Sequence, residues 1–195
     1  LKGLGIVLAK ADEGFKRNEL VPMLLRSFDG ANHSPKVLLA TLDAASLWSK
    51  DSTIEFSALV SRFLPRLLRT ASDRTLNVSL RSKAIETTGE ILKTCSSVGQ
   101  DVFADKVLPC LASIIRSMGE RKQATICMSL VGLYRVIAAK LVDPSQVAKR
   151  ILAPMVVLTM DKALNERQFS ECYAATTRLF ADAAAKRRAA FSSRA

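Results

Sequence analysis

The sequence predicts an all-α protein built from repeated pairs of helices. Four stretches with the apolar spacing of a helix each contain one proline, at Pro22, Pro65, Pro109 and Pro154, so the intervals are 43, 44 and 45 residues. Hydrophobic residues make up 49% of the chain but aromatic residues only 6%, which favours closely packed helices over a sheet. Helix-capping signals also divide each interval into two helices.

The repeated proline defines the architecture. The stretch RFLPRLLRTA (Arg62–Ala71) is typical of the four. A proline inside a helix removes a backbone donor and costs about 3 kcal/mol, so its return in one phase indicates that it belongs to the repeat. A helical period of about 40–47 residues is typical of HEAT and armadillo arrays. We therefore predict a HEAT/armadillo-like α-solenoid of about four helix pairs plus one leading helix. The carbonyls that lose their donor are predicted four residues before each proline, at Asn18, Ser61, Asp105 and Arg150.

Capping signals set the predicted bounds of the helices. The N-terminal signals are Ser34-Pro35, Ser52 to Glu55, Asp143-Pro144 and Asn165 to Gln168, and Gly30, Gly99 and Gly119 mark ends or connections. The predicted helices are 2–11, 17–29, 34–49, 53–71, 77–96, 101–117, 121–140, 144–161 and 165–184. Gly89 and Gly132 recur in phase in the middle of two helices, which predicts close helix crossings at both.

The repeats predict one helical domain over 1–185, followed by a basic tail over 186–195. The tail KRRAAFSSRA loses the apolar period, so we expect it to be frayed. No run of about 18 uncharged apolar residues is present, which argues against a membrane span. The first residues lack a signal-peptide cleavage site. Because the chain opens on Leu1 instead of Met, we expect it to be part of a longer protein.

The residue types needed for catalysis are sparse. There is no glycine-rich phosphate loop, and the single histidine, His33, lies in a predicted turn. The spacings of the four cysteines match no zinc motif, so buried thiols in a reducing compartment are predicted at Cys95, Cys110, Cys127 and Cys172. We predict a non-catalytic chain with no cofactor, no metal and no small-molecule substrate.

The charge favours acidic partners. Lys and Arg outnumber Asp and Glu by 29 to 18, a net charge of +11. Arg62, Arg66 and Arg69 share one face of a predicted helix and form a candidate partner-binding stripe, and a second cluster lies at 186–188. The alternative is a solvated face that keeps the protein soluble. Aromatic residues do not alternate with the cations, which argues against nucleic acid as a partner.

A resemblance to a known family rests mainly on VAKRILAPMVVLTMDKALNERQF (Val147–Phe169). This stretch resembles the Scy-like pseudokinase family, through Leu158, the pair Leu164-Asn165 and the closing Gln168-Phe169. The stretches LKGLGIVLAK, VSLRSKAIETTGEILK and LVGLYRV resemble the family as well. One departure is that the family's proline aligns with Ala153, whereas the proline here is Pro154.

The resemblance implies a function. Members carry an N-terminal kinase-like domain, usually judged catalytically impaired, then a HEAT-type helical region and a low-complexity tail. They act in membrane traffic with clathrin coats and adaptors or with Golgi coats. The chain would then be a non-catalytic scaffold in the cytoplasm, at Golgi, endosome or coated-vesicle membranes. Its partners would be coat or adaptor proteins, with peripheral contact to anionic membrane. Two alternatives stay open, a HEAT scaffold of the nuclear transport or phosphatase class and a basic RNA-binding solenoid.

Overall fold

The fold is all-α, as predicted. The computed structural model describes residues 10–29, 34–50, 59–94, 98–118 and 123–192. These ranges contain eight main helices and no strand. The predicted leading helix 2–11 lies almost entirely outside the described residues, as do the Ser52 to Glu55 capping box and His33.

The chain forms two compact units, Leu1–Val98 and Gly99–Ala195. The first contains α1 (13–29), α2 (Pro35–Trp48), α3 (59–72) and α4 (Val78–Thr94). The second contains α5 (100–118), α6 (Ala124–Lys140), α7 (144–159) and α8 (Glu166–Ser192). In the first unit α1 packs on α2, α3 on α4 and α2 on α4. In the second, α8 packs on both α6 and α7.

Each odd-numbered helix contains a π-helical turn just before its proline. The turns are Lys16–Leu20 in α1, Leu59–Phe63 in α3, Phe103–Val107 in α5 and Ala148–Leu152 in α7, and each ends two residues before the proline. Kinks in helices commonly occur at prolines and at π turns. The repeat therefore combines both features at one position of its first helix.

The π turn changes which carbonyl loses its donor. In α5 the amide of Leu108 donates to the carbonyl of Phe103, five residues back. In that register the donor missing at Pro109 would have faced Ala104, not the predicted Asp105. The same register occurs in α1, where Val21 donates to Lys16, and in α7. The predictions at Asn18, Asp105 and Arg150 assumed an α-helical register, which the π turns interrupt.

The described caps agree with the sequence. The Ser34 hydroxyl accepts from the Lys36 amide at 3.4 Å, and Asp143 Oδ1 accepts from the Ser145 amide at 2.8 Å. Asn165 and Gln168 exchange reciprocal bonds of 2.9 and 3.0 Å, which confirms this capping box. Gly99 lies at the N-cap of α5, whereas Gly30 and Gly119 lie outside the described residues.

Two sequence predictions need correction. Gly132 is exposed, and a Cβ built on it meets nothing within 4 Å, so no close crossing requires this glycine. Gly89, by contrast, is buried. The segment predicted to be frayed is helical to Ser192. Its alanines, lysine and arginines are strong helix formers, and Lys186 Nζ donates to the Leu141 carbonyl at 3.3 Å.

Candidate interaction surface

The predicted basic stripe lies on the surface of α3. Arg62 and Arg69 are exposed and Arg66 is half-buried, while Phe63 and Leu67 between them are fully buried. The apolar face of this helix therefore turns inward. The side chain of Leu59, one turn before Phe63, lies outside the described residues.

Arg66 is held by a carboxylate whose position near it the sequence does not predict. Its Nε lies 3.0 Å from both Oδ1 and Oδ2 of Asp29, at the end of α1, and its Nη2 bonds to the same carboxylate. Its Nη1 donates to the Arg62 carbonyl at 2.9 Å. This geometry fixes the guanidinium in place, with 26% of the Arg66 side chain exposed.

Asp29 also reduces the net charge of the stripe. Arg69 Nη1 lies 3.8 Å from Asp29 Oδ1, although 72% of the Arg69 side chain is exposed. The hydrogen bond from Arg66 is the main cause that lowers the pKa of Asp29 below its ordinary value. The carboxylate is therefore ionised at neutral pH and offsets one of three positive charges. Arg62 and Arg69 are the exposed members of the stripe.

Helices α2 and α4 present a second charged surface. Lys83 Nζ lies 2.9 Å from Asp43 Oδ1, and this hydrogen bond is the main cause that raises the pKa of Lys83. Lys50 lies 3.8 Å from Glu90, whose carboxylate also accepts from the Ser46 hydroxyl. Opposite charges alternate on this surface, so it attracts neither sign of partner strongly.

An open groove of about 510 Å³ lies in the second unit, between the start of α5 and the connection from α6 to α7. Gln100 links its two sides: Nε2 donates to the Lys140 carbonyl at 2.7 Å, and Oε1 accepts from the Val142 amide at 3.4 Å. Arg150 Nη1 donates to the Ala104 carbonyl, which lines the groove, at 2.7 Å. This arginine therefore partners the carbonyl opposite Pro109.

The remaining reactive groups of the described residues are buried or scattered. Cys127 and Cys172 are buried thiols and Cys110 is a half-buried one, and burial raises the pKa of Cys172. Burial also raises the pKa of Tyr134. Within the described ranges, no group of three or more His, Cys, Asp or Glu side chains is placed to hold a metal ion. No helix there is long and apolar enough to cross a bilayer.

The chain is similar to a known protein at a distant level. The chain is 22% identical over 173 residues to SCY1-like protein 2 of Mus musculus, which covers 87% of this chain and 17% of that protein. No family model matches the chain. No solved structure matches it either. The chain is thus distantly similar to a Scy1-like protein, of which it spans a small part.

The stretch Val147–Phe169, which resembles the Scy-like family, contains most of α7, the turn that follows it and the N-cap of α8. Leu158 is fully buried and Leu164 half-buried. Phe169 is 39% exposed. The helical period places it beside the buried face of α8, not within that face.

Proposed function

We propose that this chain is the HEAT-type helical region of a Scy-like protein and acts as a non-catalytic scaffold in coated-vesicle traffic. The observation that carries the proposal is the distant similarity to SCY1-like protein 2 along 87% of the chain. The recurrence of a π turn and a proline in every first helix adds to it, since a regular helical unit is what a HEAT-type solenoid is built from.

The packing supports a role in binding. In the first unit α2 packs on α4, and in the second α6 packs on α8, so second helices lie side by side as they do in stacked helical pairs. Such arrays use extended surfaces to bind partners. Arg62 and Arg69 on α3 are exposed and could meet an acidic segment of a coat protein or an anionic membrane.

Binding to purified coat components tests this proposal. We expect the chain to bind clathrin, an adaptor complex or a Golgi coat complex saturably, and R62E/R69E to weaken binding, most at low salt. Arg178→Glu, an exposed arginine on α8, is the matched control for the charge change. If the chain binds none of the three, the proposal is wrong. Tighter binding to RNA, with a steep loss of affinity on adding salt, would favour the RNA-binding alternative.

A further inference from the structure

The aromatic residues of α8 are all on its surface. Phe169, Tyr173, Phe180 and Phe191 are 39%, 55%, 64% and 58% exposed. With 3.6 residues per turn they lie within about 40° of one another around the helix axis, along roughly 33 Å of its length. We call these four residues the aromatic stripe. Elsewhere the largest aromatic side chains, such as Trp48 and Tyr134, are fully buried.

Ring contacts hold side chains of the aromatic stripe in place near both of its ends. The rings of Phe169 and Tyr173 stack with centroids 6.0 Å apart. The guanidinium of Arg187 lies over the ring of Phe191, 4.5 Å from its centroid. An exposed apolar surface of this length on a soluble protein marks an interaction site.

The polar residues around the stripe are distributed unevenly. Glu166 lies on the same side of α8 at its N-terminal end, and Arg187 lies on that side near its C-terminal end. At 3.6 residues per turn, Glu171 and Asp182 project from the opposite side. The stripe thus has one negative end and one positive end, with aromatic rings between them.

We propose that this stripe binds a second copy of the chain, with two α8 helices antiparallel. An antiparallel pair brings the Glu166 end of each helix to the Arg187 end of its partner, so both pairs of ends are complementary in charge. Isologous two-fold pairing of this kind is the commonest in homo-oligomers.

The side-chain sizes fit the same pairing. With the two-fold axis between Arg178 and Leu179, Tyr173 of each copy lies opposite Ala184 of the other. In the same register, Phe180 lies opposite Thr177. Large side chains meet small ones at both positions, which lets two helices approach closely. One helix face is small beside the interfaces of stable dimers, so the dimer is weak and depends on concentration.

Sedimentation of the purified chain between roughly 1 and 500 µM tests the proposal. We expect a monomer–dimer equilibrium, and a loss of affinity of at least about tenfold in Phe180→Glu, because the interface would bury two unpaired carboxylates, one from each copy. Phe15→Glu is the matched control, since Phe15 is an exposed aromatic residue of the first unit, at 44%. Circular dichroism checks that both variants stay helical.

A charge exchange sharpens the test. Glu166→Arg alone and R187E/R188E alone should each weaken the dimer about threefold to tenfold, and the variant combining all three changes should restore it. Arg178→Glu should leave it unchanged. A monomer at every concentration would overturn the proposal, and so would a dimer that survives Phe180→Glu or is not restored by the combined exchange. A monomer that loses binding to anionic vesicles in Phe180→Glu would instead assign the stripe to a lipid surface.

Discussion

Arg66 and Asp29 join α3 to α1 through a two-nitrogen contact between residues 37 positions apart in sequence. The pair lies inside the basic stripe that the sequence singled out. It divides that stripe into one arginine that links α3 to α1 and two that are more exposed to solvent.

The division predicts unequal effects on stability. Arg66→Glu should lower the melting temperature by a few degrees, because it replaces an ion pair with two facing carboxylates. Exposed ion pairs contribute about 1 kcal/mol or less, and repulsion adds to the loss. R62E/R69E should change the melting temperature little. Differential scanning calorimetry on the two variants makes the comparison, and equal shifts would show that Arg66 has no special role.

Because the pKa of Asp29 is lowered in the folded protein, we predict that the stability of the fold depends on pH. The ionised form of Asp29 stabilises the fold. That contribution is present above the pKa of the unfolded chain, about 3.9, and is lost as the pH falls through the lower pKa of the folded state. Urea unfolding between pH 7 and pH 2.5 should therefore show a smaller acid-induced loss in Asp29→Asn than in the parent. Parallel curves would contradict the assignment.

Pro109 and Arg150 should be energetically coupled. Arg150 donates to the Ala104 carbonyl, which the missing amide of Pro109 would otherwise have faced. Arg150→Ala should cost about 0.5–1 kcal/mol in the parent, near the low end for a hydrogen bond because the contact is exposed. In Pro109→Ala the new amide can serve that carbonyl, so the same change should cost less. A double-mutant cycle by urea unfolding measures the coupling, and additive losses would exclude it.

The two mid-helix glycines should respond in opposite ways to alanine. Gly132 is exposed and open around its Cα, so Gly132→Ala should raise the free energy of unfolding by about 0.5–1 kcal/mol. Gly89 is buried, so we expect Gly89→Ala to crowd its neighbours and to lower stability. Chemical denaturation of both variants tests the contrast. A stabilised Gly89→Ala would show that the added methyl group has room there.

Local patterns in the sequence predicted the helices well. The caps at Ser34, Asp143 and Asn165 rest on neighbouring residues, and the structure confirms them. The Asp29–Arg66 pair could not be predicted, because it depends on how two distant helices pack.

Two features of the structure were not predicted from the sequence. The π turn before Pro109 was not predicted, because that stretch has the apolar spacing of an ordinary α-helix. The aromatic stripe was not predicted, because its residues are far apart in sequence and align only around the axis of the formed helix. Around the axis of α8, Phe180 lies on the exposed side and Cys172 lies on the buried side.

The π turns also bear on how the protein yields to mechanical load. Each first helix has one interrupted turn, whereas α2, α4, α6 and α8 are continuous α-helices. A helix bends most easily where its hydrogen-bond ladder is interrupted. Each first helix therefore has one point at which it bends most easily, whereas the second helices have no such interruption and resist bending.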